Sequence, residues 1–124
     1  MSPPLALVVD DLPTIRCLLR RILESAGWLV HEADCGPEAL AMVQAQVYDA
    51  MLLDISMPQM SGIAVCKAIR RGAAPPPRRI IACTAHAFAG YRETLLGSGF
   101  DDVLTKPFSR KALELALATV CNRA

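Results

Sequence analysis

Residues 49–62 read DAMLLDISMPQMSG, in which a carboxylate, Asp54, directly follows the apolar residues Met51, Leu52 and Leu53. A charge is seldom kept inside an apolar core unless it is paired or bound to a metal. Either Asp54 lies at the mouth of a buried strand, or it has a cationic partner. The segments on both sides of this stretch bear on that choice.

Short apolar runs alternate with segments of helical periodicity along the chain. The expected strands are Leu5–Val9, Trp28–Ala33, Ala50–Leu53, Arg79–Cys83 and about Asp102–Thr105. Apolar residues at helical spacing predict a helix from about Ile15 to Ala26, closed at Gly27, and others at Gly36 to about Gln46, Gly62–Arg71 and about Phe88–Leu96. A last helix carries the stripe Leu113, Ala116, Leu117, Val120 and Cys121.

Five strands that alternate with five helices predict an α/β fold, a doubly wound five-stranded parallel sheet with helices on both faces. A sheet covered on both faces needs near-continuous apolar strands, as LALVV at 5–9 is. Ligand sites in such sheets lie beyond the carboxyl ends of the strands. Asp54 is therefore expected at a strand mouth.

The composition is that of one domain of ordinary size, with 124 residues, 53% of them hydrophobic, and a formal net charge of +1. We expect a single domain over 1–124, with an ordered core at about 5–122. Scattered arginine and lysine give no support to direct nucleic-acid binding. No apolar run approaches the roughly 18 residues of a membrane span, and there is no signal peptide. These features predict a soluble cytoplasmic domain without membrane contact.

The cysteines are odd in number and widely spaced, and no two form a C-x-x-C pair. His31 and His86 are not near a cysteine in sequence, so zinc and redox sites have little support. We interpret the cysteines as reduced packing residues of a cytosolic domain. They are Cys17, Cys35, Cys66, Cys83 and Cys121.

Polar residues follow four of the five expected strands. Asp10 and Asp11 follow the first strand, Asp54 the third, Thr84 the fourth and Lys106 the fifth. Because the carboxyl ends of parallel strands share one edge of the sheet, these side chains should converge there. Taken singly, either of the first two acids could instead cap the first helix.

Three gathered carboxylates repel one another, by about 4 kcal/mol per pair at about 4 Å and an effective dielectric constant of about 20. One lysine and one divalent cation would together balance the three charges. Oxygen ligands favour Mg²⁺, which commonly shares its shell with a substrate phosphate. Asp54 is then a candidate nucleophile toward a phosphoryl group, with Mg²⁺, Lys106 and Thr84 stabilising charge on the transferring oxygens.

Four motifs stand in a fixed order across essentially the whole chain. They are Asp10-Asp11, Asp54-Ile55-Ser56-Met57-Pro58-Gln59-Met60-Ser61-Gly62, Thr84-Ala85 and Lys106-Pro107. Together they resemble the receiver domain of two-component response regulators. The resemblance implies the flavodoxin-like sheet with strand order 2-1-3-4-5, and a cis Lys106–Pro107 peptide bond.

The resemblance also implies the role of each acid. Asp54 would be the phosphoacceptor, which takes a phosphoryl group from a phosphohistidine. Asp11 and Asp54 would ligate Mg²⁺ by their side chains, Ser56 by its backbone carbonyl, and Asp10 mostly through water. The domain would then change conformation to pass on the signal.

Further family features bear on partners and output. Thr84 would be the hydroxyl that moves toward the phosphoryl group, and Lys106 would form an ion pair with it. Residues 84–87 and 99–102 look more like those of receivers attached to hybrid sensor kinases than like those of receivers fused to DNA-binding domains. This resemblance implies a histidine kinase or histidine phosphotransfer domain as partner. The family usually has an aromatic residue where this chain has Val103, which predicts a muted or different output. We expect a monomer or weak dimer.

Two other functions stay open. A Mg²⁺-dependent phosphatase with an aspartate nucleophile would need a second acid two residues later to protonate the leaving group, and that position is Ser56. A pseudo-receiver that binds partners without phosphorylation would normally have lost an acid or the lysine, and this chain keeps all of them. We therefore expect a signalling phosphoacceptor, which assists its own phosphorylation and dephosphorylation, rather than an enzyme.

Overall fold

The computed structural model describes residues 2–85 and 90–121, the last three of them as backbone. Within this part of the chain, five strands alternate with five helices. The strands are β1 Leu5–Val9, β2 Leu29–Ala33, β3 Ala50–Asp54, β4 Ile80–Thr84 and β5 Asp102–Thr105. The helices are α1 Pro13–Ser25, α2 Gly36–Ala45, α3 Gly62–Arg71, α4 Tyr91–Gly97 and α5 Arg110–Cys121.

All five strands are parallel and belong to one sheet, in the order β2-β1-β3-β4-β5. This confirms the predicted doubly wound α/β fold and the strand order that the resemblance implied. Since the strands run in the same direction, their carboxyl ends share one edge of the sheet. Every acid and lysine of the predicted site follows or ends one of these strands.

The sheet separates two apolar cores because side chains alternate between its faces. Leu7 and Leu53 pack on one face with residues of α2, α3 and α4. Val8 and Leu52 pack on the other face with residues of α1 and α5. The second face also buries Trp28, which is 4% exposed. No helix of the described residues is both long and apolar enough to cross a membrane.

Some predicted boundaries were wrong by a few residues. β2 begins at Leu29 because the amide of Trp28 donates to the Leu23 carbonyl in the turn after α1. β4 begins at Ile80, one residue later than predicted, and it includes Thr84, which pairs in register with Thr105. The start of the predicted fourth helix, at Phe88, lies outside the described residues.

The interpretation of the cysteines is only partly confirmed. Cys66 and Cys83 are buried in the two cores, and Cys35 is half-buried. Cys17 was wrongly interpreted as a packing residue, since it lies on the exposed side of α1. The four described thiols form no disulfide. The side chain of Cys121 lies outside the described part of the chain.

Candidate functional site

The three predicted acids meet at the carboxyl edge of the sheet. Carboxylate oxygens of Asp10, Asp11 and Asp54 all lie within 4.8 Å of one another. The side chains of Asp10 and Asp54 are 2% and 6% exposed, and Asp11 is half-buried. A cluster of hard oxygen ligands in this geometry can hold a divalent cation.

Lys106 joins the two buried acids. Its Nζ lies 3.1 Å from Asp10 Oδ2 and 3.2 Å from Asp54 Oδ1. The backbone holds this lysine in place, because its amide donates to the Thr84 carbonyl at 2.6 Å. Its peptide bond to Pro107 is cis, as the family resemblance implied. Asp54 therefore has both features that its sequence context suggested, a position at a strand mouth and a cationic partner.

The charges in this cluster perturb one another. Burial raises the pKa of Asp54, the charge of Asp10 raises it further, and Lys106 opposes both effects. Burial by itself would lower the pKa of Lys106, but its hydrogen bond to Asp10 and the charges of Asp10 and Asp54 outweigh it and raise that pKa. The cluster contains three carboxylates and one ammonium group, which pairs with two of them, so it keeps an excess of negative charge that favours a bound cation.

The loop between β1 and α1 presents its two acids differently. Asp10 Oδ1 accepts a hydrogen bond from the amide of Leu12 at 3.0 Å. Neither acid is the N-cap of α1, because Leu12 occupies that position and contributes no side-chain cap. No hydrogen bond or ion pair joins the Asp11 carboxylate to another described residue. Asp11 is thus the acid that can bind a ligand without breaking a protein contact.

The loop between β3 and α3 folds back tightly on Asp54. The Ser56 amide donates to Asp54 Oδ1 at 3.3 Å, while the Ser56 side chain is exposed. Ser61 caps α3, since its Oγ accepts from the Ala64 amide at 3.2 Å. The Gly62 amide donates to the carbonyl of Ile55 at 3.1 Å. These bonds fix the segment that follows Asp54.

Thr84 and Cys83 complete the polar edge. Thr84 is 1% exposed and ends β4. Cys83 pairs in register with Asp54, and burial raises the pKa of its thiol to about 12. The thiol therefore stays protonated at neutral pH and adds no fourth negative charge to the cluster.

The sequence did not predict the role of Arg16. This residue of α1 contacts the loop between β1 and α1, which contains Asp10 and Asp11 and is called the acidic loop below. Its Nη1 donates to the carbonyl oxygen of Asp10 at 2.6 Å. The available signal was its spacing, because an arginine six residues after Asp10 falls in the first turn of the helix that follows the loop. Its acceptor is a backbone carbonyl, which no sequence pattern reveals.

The family model described as the response regulator receiver domain matches residues 6–118, nearly the whole chain. The chain belongs to the response regulator receiver family. Its alternating fold, its strand order and its cluster of three acids with a lysine agree with that membership. It is a receiver domain of two-component signalling.

Receivers from two kinds of protein resemble this domain. It is 40% identical over 113 residues to the sensor histidine kinase GacS of Pseudomonas protegens, covering 89% of this chain and 12% of GacS. It is 41% identical over 118 residues to the transcriptional regulatory protein ResD of Bacillus subtilis, covering 95% of this chain and 48% of ResD. The domain thus spans less than half the length of these curated relatives.

One solved relative is the receiver domain of the sensor histidine kinase PA1611 from Pseudomonas aeruginosa, which has a magnesium ion coordinated in its active site cleft. It superposes with a TM-score of 0.84 and 32% identity, covering 98% of this chain and 100% of that one. The chemotaxis protein CheY4 of Vibrio cholerae superposes with a TM-score of 0.87 and 30% identity, covering 96% and 99%.

Val103 occupies the position at which receivers usually have an aromatic residue. It is half-buried on β5 and packs against the core shared by α2, α3 and α4, as does Tyr91 of α4. Phe100 is 4% exposed in the same core. Phe100 is therefore a core residue, and it does not supply a surface aromatic in place of Val103.

Proposed function

We propose that this receiver domain accepts a phosphoryl group from a phosphohistidine onto Asp54. The phosphorus–nitrogen bond of the donor breaks as a bond forms from phosphorus to a carboxylate oxygen of Asp54, which leaves an acyl phosphate and a neutral imidazole once a proton is taken up. The observation that carries this proposal is the contact of Lys106 with both Asp10 and Asp54 inside the three-acid cluster.

We propose that the same cluster binds Mg²⁺. Asp11 and Asp54 would be side-chain ligands, Ser56 would contribute its backbone carbonyl, and Asp10 would act mostly through water. The donor set fits a hard cation, since it offers oxygen atoms and an excess of negative charge. Bound there, Mg²⁺ would supply charge neutralisation for the transferring phosphoryl oxygens.

The protein groups around Asp54 have matching roles. Lys106 already contacts the carboxylate that would carry the phosphoryl group, so it can pair with the added oxygens. We propose that the Thr84 hydroxyl moves toward that group and that this movement begins the conformational change. Because Val103 stands in place of an aromatic residue, we propose that this conformational change alters the protein surface differently from the change in receivers that have the aromatic residue.

The test of the phosphoacceptor role is incubation with acetyl phosphate and Mg²⁺ followed by intact mass measurement. One added phosphoryl group is expected, and an unchanged mass at millimolar donor would contradict the proposal. Sustained release of phosphate from phosphomonoesters would instead favour the phosphatase. The phosphatase is disfavoured because Ser56 stands where that chemistry needs an acid.

Magnesium should stabilise the folded domain. At a concentration about 100 times its dissociation constant, Mg²⁺ is expected to add roughly 2.7 kcal/mol to the free energy of unfolding, because it binds the folded site alone. Urea denaturation with and without Mg²⁺ measures this. Asp11→Asn is the control, since it removes a proposed ligand without breaking a contact between described residues, and it should lose most of the gain. An equal gain in the variant would show that Mg²⁺ acts elsewhere.

We propose that the phosphohistidine donor, a histidine kinase or a histidine phosphotransfer domain, docks in an apolar groove beside the acidic cluster. The groove has a volume of about 360 Å³, and Lys106 is one of its lining residues. Its other lining residues are Ile15, Leu18, Leu19, Ala85, Pro107 and Phe108. Since Lys106 also contacts Asp54, a partner seated in this groove lies next to the acceptor carboxylate.

Leu18→Glu tests the docking face. Leu18 is 54% exposed, so a charge there should disturb a protein partner without unfolding the domain. We expect phosphorylation by a phosphohistidine domain to slow at least about tenfold, which corresponds to 1.4 kcal/mol, and phosphorylation by acetyl phosphate to stay unchanged. Leu115→Glu is the matched control, because Leu115 is 65% exposed and does not line the groove. Equal slowing with both donors would contradict the assignment.

We further propose that residues 1–124 act as one signalling domain in the cytoplasm, as a monomer or weak dimer without direct nucleic-acid contact. The odd number and wide spacing of the cysteines, with no C-x-x-C pair, support a reducing compartment. The single sheet, which takes strands from residues 5–105, supports one domain.

A further inference from the structure

Arg16 connects the acidic loop to the edge strand β2. Its Nη1 donates to the Asp10 carbonyl at 2.6 Å, and its Nε lies 3.1 Å from Glu32 Oε1. The Arg16 side chain is only 17% exposed. One guanidinium group thus bonds a backbone oxygen beside the site and a carboxylate on a neighbouring strand, and the planar fork of arginine holds its donors in fixed directions for these two acceptors.

Glu32 is itself held firmly. Its second oxygen, Oε2, accepts a hydrogen bond from Arg20 Nε at 2.6 Å. This bond from Arg20, together with the charges of Arg20 and Arg16, lowers the pKa of Glu32 in spite of partial burial. Glu32 is therefore ionised at neutral pH and receives two arginines from successive turns of α1. Arg16 consequently has an anchored partner.

The atom that Arg16 contacts matters because of peptide geometry. The Asp10 carbonyl and the Asp11 amide belong to the same planar peptide group, so holding one fixes the other. On the other side of the residue, the Asp10 amide donates to the Ala33 carbonyl at 3.2 Å. Both backbone groups of Asp10 are thus connected to β2. The amide bonds Ala33 directly, and the carbonyl is linked to Glu32 through Arg16.

We propose that Arg16 is a positioning residue, which fixes the Asp10–Asp11 peptide and so sets the placement of both acids for Mg²⁺. The part that concerns Mg²⁺ rests on the proposed function. Groups that orient metal ligands typically change metal affinity by about 10- to 100-fold when they are removed. The geometry of the loop itself depends on Arg16 whether or not a metal is bound.

The test compares Arg16→Gln with Arg20→Gln. Both variants remove an arginine that binds Glu32, but Arg20 has no hydrogen bond to the acidic loop. In the metal-free protein, we expect Arg16→Gln to speed hydrogen exchange of the Leu12 amide, which bonds Asp10 Oδ1. With Mg²⁺, calorimetry should give a dissociation constant raised about tenfold or more. Arg20→Gln loosens Glu32 but leaves both bonds of Arg16 in place, so it should change both measurements clearly less than Arg16→Gln does, and Arg16→Lys should restore part of the affinity.

Unchanged exchange or unchanged Mg²⁺ affinity in Arg16→Gln would overturn the proposal. Equal changes in Arg20→Gln would also overturn it, because they would reflect the loss of surface charge or of Glu32 packing. A wild-type protein that binds no Mg²⁺ would reject the metal site of the proposed function. In that case the exchange rate of the Leu12 amide would still decide whether Arg16 holds the loop.

Discussion

Replacing Asp54 with asparagine is expected to abolish phosphorylation of this domain. Acetyl phosphate with Mg²⁺ should add one phosphoryl group to the wild type and none to Asp54→Asn, because a carboxamide cannot act as the nucleophile that forms an acyl phosphate. Intact mass spectrometry measures the product, and hydroxylamine should release the group. The size and shape of the side chain are kept, so Lys106 retains its bond to Asp10.

Asp34→Asn is the matched control for this loss. Asp34 is an exposed aspartate that is not part of the three-acid cluster, so its variant should be phosphorylated at the wild-type rate. Persistent phosphorylation of Asp54→Asn would move the acceptor to another residue, and peptide mapping would identify it. Asp10 and Asp11 would be the first candidates, since both lie in the same cluster.

The fold was predictable because its strands have a simple pattern. A strand covered on both faces must be apolar throughout, and the runs at Leu5–Val9 and Ala50–Leu53 meet this condition. Boundaries were harder to predict because they depend on tertiary contacts. Trp28 is apolar and buried but belongs to a turn, and Thr84 is polar but pairs inside the sheet. The strand order came from the family resemblance.

The site was predictable for a different reason. In a parallel sheet, any residue that follows a strand reaches the same edge, so the strand assignments alone gather Asp10, Asp54 and Lys106. The contribution of Arg16 was not predictable, because it depends on how α1 packs against Glu32 of β2. Sequence periodicity shows which face of a helix is apolar, but it does not show which carbonyl a guanidinium group reaches.

Gly62→Ala is expected to damage both stability and phosphorylation. A Cβ at position 62 would overlap the carbonyl oxygen of Asp54 and lie 2.9 Å from the Cα of Ile55. Both contacts are with backbone, which cannot turn aside as a flexible side chain can. Overpacking of this kind typically costs about 1 to 3 kcal/mol, which urea denaturation would measure. The Asp54 carbonyl belongs to the proposed acceptor residue, so the displacement should also slow phosphorylation by acetyl phosphate.

Gly97→Ala separates this steric effect from the general effect of adding a methyl group. Gly97 lies in α4, and a Cβ there would meet no atom within 4 Å. Alanine is a better helix former than glycine by up to about 1 kcal/mol, so Gly97→Ala should be neutral or slightly stabilising and should keep wild-type phosphorylation. If Gly62→Ala were as stable and as active as Gly97→Ala, the loop after β3 would have to shift freely. Gly62 would then play no part in fixing Asp54, and the placement of the proposed acceptor would depend on its position in β3 and on its bonds to Lys106 and Ser56.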